Sequence, residues 1–156
     1  MTEMQREVLR FIVQTLMSED IEFQASGGLA AIAYGATRPL YDIDLEIYRR
    51  DAEKVRALFE DYITQDWNNE LEGPEDEFDL WILKLDIKGV PIDINQVEDS
   101  RIKSKEGEWI LQPDTLEYEM RAVGGVELPV QSKASLIAYK KLIDRDTDLI
   151  DVEQIS

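Results

Sequence analysis

Residues 42–47, DIDLEI in one-letter code, alternate acidic and apolar side chains over six positions. Side chains of a β-strand point alternately to its two faces, so Asp42, Asp44 and Glu46 would share one face and the apolar residues between them the other. The apolar face can pack against a core. The stretch therefore predicts a half-buried strand that presents three carboxylates on its other side.

Asp93 stands in a similar setting, between apolar neighbours in residues 91–95, PIDIN. If its strand lies beside the first one, Asp93 joins Asp42 and Asp44 on the same face. The pair Gly27-Gly28 precedes both strands and predicts a turn. A glycine turn, two carboxylates separated by one residue and a third on another strand together indicate a divalent-metal site that faces a bound triphosphate.

Three carboxylates in one small volume repel one another and raise one another's pKa, so a bound cation would have to offset that cost. Mg²⁺ suits such a site best, because it prefers oxygen ligands and shares its coordination between carboxylates, water and phosphates. The chain contains neither histidine nor cysteine, which excludes the usual zinc and copper sites. Each feature alone also fits a simpler structure: a solvated strand face, an ordinary turn and the end of a strand.

Gly27-Gly28 followed by residues 37–45, TRPLYDIDL, resembles the signature of the polymerase-β-like nucleotidyltransferase superfamily. Small lincosamide- and aminoglycoside-type members carry a similar Thr-Arg run before the paired aspartates, often followed by a histidine. Leu40 and Tyr41 occupy that stretch here. A second similarity, to the Lys…Arg-x-x-Asp-x-x-Asp tail of many bacterial members, lies at Lys133, Lys140, Arg145, Asp148 and Asp151.

The resemblance implies an α/β (α+β) nucleotidyltransferase fold, with a mixed β-sheet flanked by helices and a short C-terminal helical tail. In such enzymes Asp42 and Asp44 would bind Mg²⁺ that bridges the nucleotide phosphates, and Asp93 would bind a second metal ion or activate the acceptor hydroxyl. These three aspartates would be the catalytic residues. The nucleotide would be bound by Ser26, Gly27, Gly28, Arg38, Lys133 and Lys140.

The basic and aromatic residues could also have purely structural roles. Arg38 could equally form a plain salt bridge with Asp42. Lys133 and Lys140, seven residues apart on one side of a predicted helix, could be ordinary solvated charges. Aromatic residues could stack on a base or on a hydrophobic acceptor, although aromatic side chains dominate protein cores; the candidates are Trp67, Trp81 and Trp109.

Length and composition predict one domain over residues 1–156, with a core over about 1–110 and a helical tail over about 111–156. Seventeen basic and 34 acidic residues leave a net charge of −17, which would repel nucleic acid and attract a cationic small molecule or a basic patch on a partner protein. A homodimer is compatible with the small size. The N-terminus has no basic, apolar leader and the chain no apolar run of membrane length, so a cytoplasmic protein is expected.

Hydrophobic periodicity predicts the order of elements. An acidic segment over residues 66–77, which contains the turn signal Gly73-Pro74, predicts an exposed loop near the acceptor, or alternatively a solvated connection without function. Helices are expected over residues 3–18 and 29–34, after Asp51, from Ser132 and from Asp146; strands are expected over residues 21–25, 41–48, 78–87 and 90–97, the last two joined by a hairpin at Lys88-Gly89.

Together these observations predict a Mg²⁺-dependent nucleotidyltransferase that moves a nucleoside monophosphate from a nucleoside triphosphate such as ATP to a hydroxyl of a small molecule. The acceptor pocket would come from residues 60–80, 98–130 and the tail. Two alternatives remain: a toxin–antitoxin type nucleotidyltransferase that acts on or binds a partner protein, and a nucleotide-binding module without catalysis.

Overall fold

The computed structural model describes residues 1–69, 71–72 and 78–156. This part of the chain contains five α-helices: α1 Glu3–Ser18, α2 Gly27–Ala33, α3 Ala52–Leu58, α4 Lys133–Ile143 and α5 Asp146–Ile155. Its strands are β1 Phe23–Ala25, β2 Ile43–Ile47, β3 Ile63–Asn68, β4 Leu71–Glu72, β5 Phe78–Asp79, β6 Ile82–Ile87, β7 Val90–Gln96, β8 Arg101–Lys103, β9 Trp109–Leu111, β10 Tyr118–Val123 and β11 Val126–Gln131.

The strands form a large mixed sheet and a small second one. Seven strands make the main sheet in the order β10-β11-β1-β2-β7-β6-β3, and four make the second in the order β4-β5-β8-β9. Within the main sheet β1 runs parallel to β11 and β2 runs parallel to β7, while the other neighbours are antiparallel. The mixed sheet, its helices and the C-terminal pair α4 and α5 confirm the predicted fold class.

The core lies against the apolar face of the central strands. Ile43, Leu45 and Ile47 of β2 are completely buried, as the alternating pattern predicts. They belong to one cluster with the apolar side of α1, whose buried residues recur at helical spacing. Thr2 and Gln5 close a capping box at the start of α1, which satisfies backbone N–H groups that the helix leaves unpaired. Because the core packs against the apolar face of β2, the acidic side chains of β2 lie on the opposite face.

Most of the predicted elements are present, and one predicted strand is divided. Residues 78–79 form β5 and residues 82–87 form β6, and the two strands belong to different sheets. Phe78 pairs with Ile102 of β8, whereas Ile82 pairs with Asn95 of β7. The prediction of one continuous strand was wrong because an alternating pattern reports the strand conformation and not the partner strand. Asp51 precedes α3 as predicted, although its side chain makes no capping hydrogen bond.

The structure also contains strands that periodicity did not reveal. Residues 118–131 form the antiparallel hairpin of β10 and β11, so the helical part of the C-terminal region begins at Lys133. All but the last residue of β10 are exposed at the sheet edge, and such a strand lacks the alternation in hydrophobicity that marks a half-buried one. Residues 66–68 of the predicted acidic loop belong to β3; residues 70 and 73–77 lie outside the described residues.

None of the helices in the described ranges combines the length and the apolar character that a membrane span requires.

Candidate active site

Three aspartates meet at one end of the central strands. Asp44 on β2 lies in register with Asp93 on the parallel neighbour β7, and Asp42 stands directly before β2. The carboxylate oxygens that Asp42, Asp44 and Asp93 could offer to a cation all lie within 4.8 Å of one another. All three side chains are half-buried. The tertiary structure therefore brings together the three carboxylates that the sequence pointed to.

The electrostatics of this cluster favour a cation. Burial raises the pKa of Asp44 well above its usual range, and the neighbouring carboxylates of Asp42 and Asp93 raise that pKa further. A positive charge among the three side chains would oppose both effects. The donor set consists of oxygen atoms alone and comes from residues that remain partly accessible, so it fits Mg²⁺ with room for water or phosphate oxygens in the same shell.

The glycine pair, predicted as a turn before a helix over 29–34, forms the first two residues of α2 and lies directly against the aspartates. The backbone N–H of Ser26 donates a hydrogen bond to the carbonyl oxygen of Asp44 at 2.9 Å, which ties the start of α2 to β2. Gly27 has φ +55°, a left-handed conformation that favours glycine, and any Cβ there would collide with the Asp44 carboxylate. Position 27 therefore needs glycine both for its backbone angle and for the space that Asp44 occupies.

Arg38 lies over the second glycine and is fixed by the tail. A Cβ on Gly28 would lie 2.6 Å from the guanidinium Nη2 of Arg38. The Nε of Arg38 donates hydrogen bonds to both carboxylate oxygens of the completely buried Asp151, at 3.0 and 3.2 Å. The salt bridge considered with Asp42 is thus made with Asp151. On the preceding residue, the Thr37 N–H donates to Gln154 Oε1 at 2.9 Å, so α5 holds the whole Thr-Arg pair.

A buried ionic cluster joins α4 to α5. Lys140 is only 2% exposed, and its Nζ lies 2.9 Å from Asp151 Oδ2 and 3.3 Å from Asp148 Oδ1. Arg145 binds the other side of Asp148, with its Nε 2.7 Å from Oδ2. Burial alone would raise the pKa of Asp148, but the hydrogen bonds and charges of Arg145 and Lys140 lower that pKa overall. The charge of Lys140 is therefore already compensated, and Lys133 is exposed and contributes nothing to the cavity wall.

The aspartates open into a cavity of about 460 Å³. The main sheet supplies one wall through β1, β2 and β7, while Phe78 and Ile102 of the second sheet, the segment 112–117 and helix α4 supply others. Residues from the range 98–130, which the sequence suggested for an acceptor pocket, thus contribute to the lining of this cavity. The three tryptophans do not line it: Trp67 packs against the core and donates from Nε1 to the Ala52 carbonyl oxygen, and Trp81 and Trp109 are exposed.

Several cavity residues were missed by sequence reasoning. Gln24, on the strand before the glycine turn, is only 3% exposed and donates from Nε2 to Glu46 Oε1 at 2.9 Å. Asn95 donates to the other oxygen of Glu46 at 3.4 Å. Tyr139 on α4 stacks on Phe78, with their ring centroids 6.4 Å apart. Asn95 lies on the same strand face as Asp93, so the alternation of side chains along the strand could have predicted its place in the cavity wall. No sequence pattern predicted that Tyr139 lines the same cavity.

The fold of this chain resembles the folds of several known proteins. No protein-family model and no curated protein matches the sequence. Solved structures do match. A protein from Thermotoga maritima, provisionally assigned as a nucleotidyltransferase, superimposes with a TM-score of 0.69 at 23% sequence identity, over 91% of this chain and 87% of its own.

Two enzymes with known small-molecule ligands have a similar fold. The lincosamide antibiotic adenylyltransferase LnuA, solved with lincomycin bound, matches with a TM-score of 0.64 at 18% identity, over 99% of this chain and 96% of its own. ANT(2″)-Ia, solved in complex with adenylyl-2″-tobramycin, matches with a TM-score of 0.64 at 14% identity, over 97% and 87%. At these identities the likeness concerns the fold, and the chain therefore has the nucleotidyltransferase fold that its sequence motifs led us to expect.

Proposed function

We propose that this protein is a Mg²⁺-dependent nucleotidyltransferase, which moves a nucleoside monophosphate from a nucleoside triphosphate to a hydroxyl of a small molecule. The observation that carries the proposal is the convergence of Asp42, Asp44 and Asp93, whose oxygens lie within 4.8 Å of one another beside the Gly27-Gly28 pair. The fold of the similar adenylyltransferases supports the reaction class.

Asp42, Asp44 and Asp93 would hold the metal, since they supply the cluster of oxygen ligands at the site. Bound Mg²⁺ would supply charge neutralisation for the triphosphate and for the leaving pyrophosphate. Asp93 takes the proton of the acceptor hydroxyl onto a carboxylate oxygen. The hydroxyl oxygen then forms its bond to the α-phosphorus as the bond from that phosphorus to the bridging oxygen of pyrophosphate breaks.

The phosphates would lie along the glycine pair. Without side chains, Gly27 and Gly28 let a phosphate approach the backbone closely. Arg38 adds a positive charge, since its Nη2 lies beside Gly28 while its Nε is held by Asp151. Arg38 is therefore the phosphate cation that the geometry favours. Lys140 contributes less directly, because its ammonium group is buried between Asp148 and Asp151.

A small acceptor fits the size and charge of the site. The cavity of about 460 Å³ is within the range of pockets that bind small molecules. The net charge of −17 disfavours a nucleic-acid acceptor, whose binding depends on cationic contacts. LnuA and ANT(2″)-Ia, which share the fold, were solved with lincomycin and with adenylylated tobramycin, both of them small molecules.

Thermal unfolding with a panel of nucleoside triphosphates, each with and without Mg²⁺, tests this proposal. A native-state ligand raises the apparent stability by mass action. We expect one or more nucleotides to raise the Tm of the wild-type protein only when Mg²⁺ is present, and Asp42→Asn to lose that rise. No Mg²⁺-dependent rise with any nucleotide would contradict the proposed function. Binding without pyrophosphate release in an acceptor screen would contradict its catalytic part.

A further inference from the structure

A row of three polar side chains crosses the main sheet beside the aspartates. Gln24 on β1 is in register with Glu46 on β2, and Glu46 is in register with Asn95 on β7. Both amide groups donate to the Glu46 carboxylate, from Gln24 at 2.9 Å and from Asn95 at 3.4 Å. All three residues line the cavity that contains the aspartates. The row is therefore a fixed, internally hydrogen-bonded part of the cavity wall.

One atom of this row lacks a partner. The amide of Gln24 is buried, with 3% of the residue exposed, and its Oε1 makes no hydrogen bond to any of the described residues. Leaving a buried polar atom unpaired costs free energy, so such atoms in a cavity wall point to a ligand. Because Oε1 can only accept a hydrogen bond, the missing partner must be a donor.

The row lies at a set distance from the aspartates. Glu46 lies two positions after Asp44 on β2, and Asn95 lies two positions after Asp93 on β7, each on the same strand face as its aspartate. The polar row and the row of aspartates are therefore about 7 Å apart. A ligand whose hydroxyl reaches the aspartates would thus bring a second polar group to Gln24 and Glu46. Glu46 has amide partners but makes no salt bridge within the described ranges, so a cationic group would supply the counter-charge of this carboxylate.

Building on the proposed function, we infer that Gln24, Glu46 and Asn95 form the acceptor subsite. They would select a small compound that carries an ammonium group about 7 Å from the hydroxyl that is to be modified. Gln24 Oε1 and Glu46 accept hydrogen bonds from the ammonium group. Asn95 donates a hydrogen bond to the Glu46 carboxylate and keeps this carboxylate oriented for binding the ammonium group.

Two small probes test this inference: trans-4-(aminomethyl)cyclohexanol and trans-4-(hydroxymethyl)cyclohexanol, which differ only by an ammonium group in place of one hydroxyl and can span about 7 Å. Their dissociation constants are measured by saturation-transfer NMR with Mg²⁺ and without nucleotide. We expect the amino alcohol to bind the wild-type protein more tightly than the diol. Glu46→Gln should weaken amino alcohol binding about tenfold, because the acceptor of the ammonium group loses its charge and the hydrogen bond becomes weaker, and should leave the diol nearly unchanged. Gln24→Met should weaken both.

Matched variants outside the cavity serve as controls. Glu98→Gln removes one carboxylate that lies elsewhere and accepts from the Arg49 backbone N–H. Gln96→Met replaces another buried strand glutamine, which binds Arg49. Equal affinity of the wild-type protein for the two probes, no binding of either probe, or equal effects of the controls would overturn the inference. Nucleotide binding is scored separately through Asp42→Asn, so failure of the proposed function and failure of the subsite give different results.

Discussion

Asp44 is the residue at which burial and charge conflict most strongly. It stands on a central strand whose other face is completely buried, and both its burial and the carboxylates around it raise its pKa. The same burial and neighbouring charge that would lower the stability of the metal-free protein would favour a cation bound at Asp44. Its backbone carbonyl oxygen also accepts a hydrogen bond from the Ser26 N–H, so Asp44 joins the aspartate cluster to the segment that begins α2.

Asp44→Asn should raise the stability of the metal-free protein at neutral pH. A carboxyl whose pKa is raised in the folded state imposes no penalty below its ordinary value of about 3.9. The penalty grows as the pH rises above that value and is complete above the folded-state pKa. The gain in the urea midpoint should therefore be largest at neutral pH and vanish towards pH 4. A gain that does not depend on pH would contradict this electrostatic cause, and transfer activity should be lost in the variant.

Gly27→Ala should destabilise the protein by more than the backbone angle alone requires. Both Gly27 and Gly89 have positive φ, but a Cβ at Gly27 would collide with Asp44, whereas a Cβ at Gly89 would meet nothing within 4 Å. Left-handed backbone costs an L-residue about 1–2 kcal/mol, which is the loss expected for the control Gly89→Ala. Chemical denaturation measures both. Equal losses would show that Asp44 moves aside without cost.

At the scale of elements, α5 connects the C-terminal helices to the Thr37-Arg38 segment beside the aspartates. Asp151 and Gln154 hold the Thr37-Arg38 pair, and Asp148 and Asp151 hold Lys140 of α4. Arg38 and Asp151, which lie 113 positions apart in the sequence, therefore belong to one contact network. Since the lowered pKa of Asp148 makes its ion pairs stabilising above about pH 3.9, this contribution is lost as the pH falls through the folded-state pKa.

Lys140→Met should loosen this connection. Removing one partner of a buried ion pair leaves uncompensated charge and costs about 3–5 kcal/mol. The neighbouring Lys141→Met is the control, because Lys141 is exposed on the same helix. Urea unfolding should reveal a large loss for Lys140→Met and a small one for the control. Hydrogen exchange of α5 amides should also become faster in Lys140→Met; unchanged exchange would show that the cluster does not hold the helix in place.

At the scale of the whole molecule, excess negative charge opposes folding. The net charge is −17 over 156 residues, and self-repulsion of this kind destabilises the compact state. Part of the charge is concentrated at the three aspartates, where a divalent cation would act specifically, while the rest is spread over the chain and responds to general screening.

Raising the NaCl concentration should therefore raise the Tm of the wild-type protein and of Asp42→Asn alike, because screening acts on all exposed charges. Mg²⁺ at matched ionic strength should add a further rise in the wild-type protein only. Differential scanning calorimetry in the two salts checks both parts. An equal response of the two proteins to Mg²⁺ would mean that the cation acts by screening and does not bind at the aspartates.

The sequence by itself determined the alternating strand and the helices with clear periodicity, because each depends on local conformation and on which face is apolar. It also limited the side chains that could bind a metal ion to oxygen donors, since no histidine or cysteine is present. The hairpin of β10 and β11 could not be found in this way, because its edge strand has no buried face. Local patterns also could not show whether β5 and β6 form one continuous strand or two separate strands.

Only the tertiary structure decided which distant residues meet. The parallel pairing of β2 with β7 places Asp93 opposite Asp44, and the docking of α5 gives Arg38 and Lys140 the carboxylate partner Asp151. The polar row of Gln24, Glu46 and Asn95 exists because three strands from separate parts of the chain lie in register. Such contacts depend on strand order and helix docking, which result from burial of the whole core and not from the local sequence.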